Sequence, residues 1–164
     1  MANKKITDLT ELTAAASDDY LEIVDTSVNT SKKISRENLT GWHFLTSPLT
    51  STAWDGAAFS TTAKTLIDLS TVFGAPAGVK AILVQLLARD SGSANSNVIF
   101  FGVGPNDVDA SCPVMSVARG LPNDTMAYQT GIVPCNVNGD IYYQIVASGS
   151  GTMDCWIRIW GYWL

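Results

Sequence analysis

Apolar and polar positions alternate in short bursts along most of this chain, and turn-forming residues separate the bursts. KTLIDLS (64–70), VKAILVQLLARD (79–90), NVIFFGVG (97–104), CPVMSVA (112–118), YQTGIVPCNV (128–137), DIYYQIVAS (140–148) and MDCWIRIWGYW (153–163) each have the length and composition of a strand. GAPAG, DSGSANS, GPNDVDAS, GLPND, the Asn138-Gly139 pair and SGSGT lie between them. No stretch with a helical period runs longer than about a dozen residues, so residues 60–164 are expected to form an all-β antiparallel sandwich of jelly-roll type. Asn-Gly in NVNGDIYY is the strongest hairpin signal, because it suits the tight turn that matches strand twist.

Several strands are apolar on both faces. In VKAILVQLLARD, Ile82, Val84, Leu86 and Ala88 fall on one face and Leu83, Gln85, Leu87 and Arg89 on the other. At the C-terminal end, simple alternation puts Ile157, Ile159, Gly161 and Trp163 together, opposite Trp156, Arg158, Trp160 and Tyr162. An antiparallel sandwich needs only one apolar face per sheet for its own core, so the second points to cover from outside the chain. A neighbouring subunit is the simplest cover, and Leu83, Leu87, Trp156, Arg158, Trp160 and Tyr162 are the candidate interface residues.

The first 41 residues have a different character. DDYLEIVD (18–25) alternates as a strand, TSVNTS (26–31) supplies turn residues, KKIS (32–35) returns, and Ser35 is placed to cap a helical turn at RENL. A hairpin of this size is marginal alone in water and has to dock on something. Residues 42–59, WHFLTSPLTSTAWDGAAF, read as a connector: Pro48 and the Ser/Thr run break any period. Trp42, Phe44, Leu45, Leu49 and Trp54 anchor it to a surface, unlike a purely flexible linker.

Composition sharpens this picture. Of the 164 residues 46% are hydrophobic and only 15% charged, where about 25% charged is usual, so the surface is short of charge. The net charge is −5 and the basic residues cluster no further than pairs, which leaves no electrostatic footprint for nucleic acid. The longest apolar runs fall far short of a membrane span of about 20 residues. MANKKITDLTELT lacks the apolar region of a secretory signal, so folding in a cytoplasm is expected.

Little of the sequence asks for catalysis. Cys112, Cys135 and Cys155 are widely spaced, and with a single histidine no metal site or cofactor is expected; they read as reduced thiols serving as small core hydrophobes. His43, the one histidine, sits between Trp42 and Phe44, and GVGPND (102–107) has too few glycines for a phosphate loop. Among Asp68, Asp90, Asp107, Asp109, Asp140 and Asp154 a glycosidase pair is conceivable, but most border turns, where aspartate serves backbone hydrogen bonding. The five tryptophans fit either a sugar-stacking platform or a packed seam between subunits; Trp156 and Trp160 on one strand favour the seam. The chain is therefore expected not to be an enzyme.

The N-terminal residues carry a resemblance. Lys5-Ile6-Thr7-Asp8-Leu9, Asp19 through Asp25, and Lys32-Lys33-Ile34-Ser35 with Asn38-Leu39 are similar to a motif at the start of many tailed-bacteriophage virion proteins, lacking only the glycine or proline common in its turn. PAGVKAILVQLLARDSGS (76–93) and CWIRIWGYW (155–163) look like strands of small β-domains attached to phage heads or tails. The resemblance implies a virion protein assembled in the bacterial host cytoplasm, commonly a homotrimer, whose N-terminal segment docks on capsid or tail proteins. Ile6, Leu9, Leu21, Ile23, Val24, Ile34 and Leu39 are the docking candidates it implies. With one sandwich after the arm and no long shaft, a capsid cement or decoration protein is the leading expectation. A tail fibre or spike recognising a host glycan is the alternative, with exposed aromatics expected near GLPNDTMAY (120–128).

Overall fold

A computed structural model describes residues 20–25, 30–35, 41–51, 54, 63–94, 98–109 and 111–164. The chain divides after Gly41 into two units. In the first, β1 (Tyr20–Asp25) pairs antiparallel with β2 (Thr30–Ser35), and Leu21 stands opposite Ile34 and Ile23 opposite Lys32. This is the expected hairpin, and it carries Leu21, Ile23, Val24 and Ile34. Its turn, the helical turn expected after Ser35, and Ile6, Leu9 and Leu39 lie outside the described residues.

The second unit is an antiparallel sandwich. Its strands are β3 (Trp42–Leu49), β4 (Thr65–Ile67), β5 (Ala81–Asp90), β6 (Phe100–Gly104), β7 (Val114–Val117), β8 (Ala127–Pro134), β9 (Ile141–Val146) and β10 (Met153–Trp163). One four-stranded sheet runs β3-β10-β5-β8 and the other β4-β9-β6-β7. The pairs β3–β10, β4–β9, β5–β8 and β6–β7 are nested, as in one long hairpin wound up so that its rungs alternate between two layers.

The core lies between the sheets. Ile82, Val84, Leu86 and Ala88 of β5 all point into it, as their alternation predicts, and meet Phe101 and Val103 of β6, Ile141 and Ile145 of β9, and Ile157 and Ile159 of β10. Trp54 closes one side: its ring stacks on Phe101 at 5.7 Å and meets Tyr143 edge-on at 5.3 Å. On the outside of β6, Gly104 lets the chain ahead of β7 lie against the strand, since a Cβ there would collide with the Ser111 carbonyl. The buried Lys64 ammonium donates to that same carbonyl at 2.5 Å.

Four expectations are corrected. The sandwich starts at Trp42 rather than near residue 60, because part of the expected connector is the edge strand β3; Pro48 is tolerated there, where no further strand among the described residues needs its missing N–H and the ladder to β10 breaks between Phe44 and Leu49. The expected strand at 64–70 stops at Ile67, where the Asp68 carboxylate accepts from the Thr71 N–H at 2.9 Å and starts the short helix α1 (Leu69–Phe73), which Gly74 ends in the left-handed conformation. Asn138-Gly139 turns the chain but makes no hairpin, since β8 and β9 belong to different sheets. The Asn136 side chain accepts from Asn138 and Asp140 N–H, each at 2.9 Å, and so builds a corner between layers.

The C-terminal strand also departs from simple alternation. Ile159 pairs with Val84 and Gly161 with Leu83, so Trp160 is an extra residue, a bulge, and the alternation resumes one position later. Tyr162 therefore turns inward, opposite Ile82 and against the core, while Trp163 turns out, the reverse of simple alternation.

Candidate functional site: the outer face of the first sheet

The register of the first sheet sorts its outward side chains into rows. At one end lie Trp42, Trp163, Ala81 and Pro134, then Phe44, Gly161, Leu83 and Ile132. No charged residue occurs in these two rows, and Phe44 is 74% exposed, Ile132 55% and Trp163 44%. The rings are mutually organised: Trp42 stacks on Phe44 at 6.1 Å between centroids and on Trp163 at 6.2 Å.

The other end is amphipathic. Arg158, Gln85 and Thr130 form a polar row, followed by Trp156, Leu87 and Tyr128 and then Asp154 and Arg89. Arg89 donates to Asp154 at 2.7 Å and lies 5.7 Å from the Trp156 ring centroid. Arg158 is exposed and forms no hydrogen bond or ion pair among the described residues.

The candidate interface residues thus part company. Trp156 and Arg158 are exposed on the outer face, Leu83 is half-buried there, and Trp160 is half-buried at the bulge. Leu87 is buried between Trp156 and Tyr128, so this chain already covers it. Tyr162 faces the core and stacks on His43 at 5.1 Å, so it leaves the outer face. Trp42, Phe44, Tyr128, Ile132 and Trp163 replace them. For β8 the signal was present, since Tyr128, Thr130, Ile132 and Pro134 alternate; for Trp163 it was hidden by the bulge.

The groups considered for catalysis are dispersed. The Nε2 of His43 is buried with no hydrogen-bond partner among the described residues, and its neighbour is the Tyr162 ring. Asp68 caps α1, and hydrogen bonds from Thr71 and Ser70 hold its carboxyl down at about 2. Asp140 accepts from the Leu69 N–H at 3.3 Å, Asp109 from the Gln144 amide at 3.4 Å, and Asp154 is paired with Arg89. Burial raises all three thiols, Cys135 to about 12, helped there by Asp140. Among the described residues no three His, Cys, Asp or Glu side chains converge as a metal site would require, and no helix there is long and apolar enough to cross a membrane.

No protein-family model matches the chain, and no curated protein is similar to it.

Proposed function

We propose that this chain is a non-enzymatic structural protein of a phage virion: a homotrimeric capsid cement or decoration protein held to the particle by residues 1–41. The observation that carries the reading is the charge-free aromatic end of the first sheet, Trp42, Phe44, Leu83, Ile132 and Trp163. Patches of this kind on a small domain belong to contacts with other proteins, whose buried centres are rich in aromatics and poor in charge. The nested strand pairing supports a jelly roll, an architecture found in viral capsid domains. Phage origin rests on the N-terminal resemblance, and the hairpin of β1 and β2 agrees with the strand pattern of that motif.

The reading separates two tasks by region. The sandwich face joins sibling copies, and the N-terminal unit joins the shell. Deleting residues 1–41 should leave a folded trimer that no longer binds capsids of the phage encoding it, measured by co-sedimentation with the particles. Normal occupancy by the truncated protein would refute the arm assignment.

A further inference from the structure

We propose that the amphipathic end of the same sheet binds an acidic glycan, with Arg158 taking the carboxylate and Trp156 the sugar ring. Among the described residues the edge of β10 is open over half its length. Strand β3 pairs with β10 only from Ile159 onward, so Met153–Arg158 has β5 on one side and no strand on the other among the described residues. A cavity of about 170 Å³ opens there, walled by Thr50, Ser51, Trp54, Phe73, Trp156 and Arg158. Beside the apolar Phe73, Cys155 and Ile157, its lining offers two hydroxyls, two indoles and a guanidinium, groups suited to a polyhydroxylated ring bearing an acid.

Arg158 supplies the charge complementarity. The neighbouring guanidinium, Arg89, is satisfied by Asp154, whereas Arg158 has no partner among the described residues and presents its planar donors for a bidentate carboxylate contact. A polyphosphate is a poor fit, because a single arginine at this site, on a chain of net charge −5, gives no basic track. Beyond the cavity two rows run side by side across three strands: Arg158, Gln85 and Thr130 offer hydrogen bonds, and Tyr128 and the part of the Trp156 ring that the overlying Arg89 leaves exposed offer stacking surface. With strands about 4.8 Å apart, the rows extend about 10 Å, enough for more than one sugar unit. Tyr128 is 62% exposed, and it lies at the end of the GLPNDTMAY segment.

This site is independent of a virion role, and it differs from the charge-free end assigned to sibling copies. The test uses the full chain and three probes: oligosaccharides terminating in glucuronic, galacturonic and sialic acid, with a neutral chitotetraose and a diglutamate peptide as controls. Binding is followed by tryptophan fluorescence and NMR. At least one acidic sugar should bind and perturb the Trp156 indole, and chitotetraose and the peptide should bind about tenfold more weakly or not at all, as loss of a charge-assisted contact predicts. Arg158→Gln, at an exposed position, should melt like the parent and lose about tenfold in affinity; Trp156→Ala should lose binding as well. Failure of all three acidic probes, equal binding of the peptide or the neutral sugar, or undiminished binding by Arg158→Gln would overturn the assignment.

Discussion

Asp90 ends β5 with its carboxylate buried, and it survives there by gathering four hydrogen bonds: from the Gly92 N–H at 2.7 Å, the Ser148 N–H at 2.9 Å, the Ser148 hydroxyl at 2.5 Å and the Thr152 hydroxyl at 3.2 Å. Burial pushes its pKa up, but the Ser148, Gly92 and Thr152 donors together outweigh burial and hold it below the ordinary carboxylate value. A carboxyl whose pKa is depressed by folding stabilises the fold above its unfolded pKa, about 3.9, and that contribution is lost as pH falls through the folded value. Asp90→Asn should therefore melt well below the parent at pH 7, with the gap narrowing as the pH drops below about 4; thermal melts across pH 2–7 measure it. Asp90→Ala, which strands the donors of Ser148 and Gly92, should cost about 3 kcal/mol in urea unfolding at neutral pH.

At the scale of the element, β10 shows how one inserted residue decides which side chains meet solvent. Because Trp160 is extra, Gly161 rather than Trp160 stands opposite Leu83, and Gly161 passes so close to β3 that a Cβ would come within 2.8 Å of the His43 carbonyl oxygen. That atom is backbone and cannot swing aside. Gly161→Ala is expected to cost about 2 kcal/mol, in the range of overpacking, and to raise hydrogen exchange in Trp42–Phe44 selectively; protection as in the parent would mean that the bulge tolerates a side chain. The same element marks where sequence reasoning stops. Alternation of Ile82, Val84, Leu86 and Ala88 made the core face of β5 legible, and the outward placement of Trp156 and Arg158 followed from spacing alone, since both precede the bulge. Tyr162 and Trp163 come after it, and alternation carries no sign of where a residue is added. The Asn138-Gly139 pair announced a turn but not its destination, because a positive φ serves a corner between sheets as well as a hairpin. β3 was hidden by Pro48, which argues against an interior strand and says nothing against an edge.

At the scale of the molecule, the two ends of one sheet face have different chemistry. The Trp42, Phe44, Ile132 and Trp163 end holds no charge, and the Arg158, Trp156 and Arg89 end alternates rings with polar groups. The proposed seam between copies should lie where desolvation is least costly, which is the first end, and leave the second wet. Phe44 is the sharpest probe of that division, because its side chain is largely in solvent and a carboxylate there costs the isolated subunit little. Within a seam the same carboxylate would be buried without a partner, a cost of several kcal/mol for each copy. Phe44→Asp is therefore expected to sediment as a monomer with unaltered far-ultraviolet circular dichroism, and to lose the dependence of melting temperature on protein concentration that an oligomer shows. Arg158→Gln, at the opposite end, should sediment as the parent does. A Phe44→Asp protein still at trimer mass, or an Arg158→Gln protein that dissociates, would move the seam away from the aromatic end of the sheet.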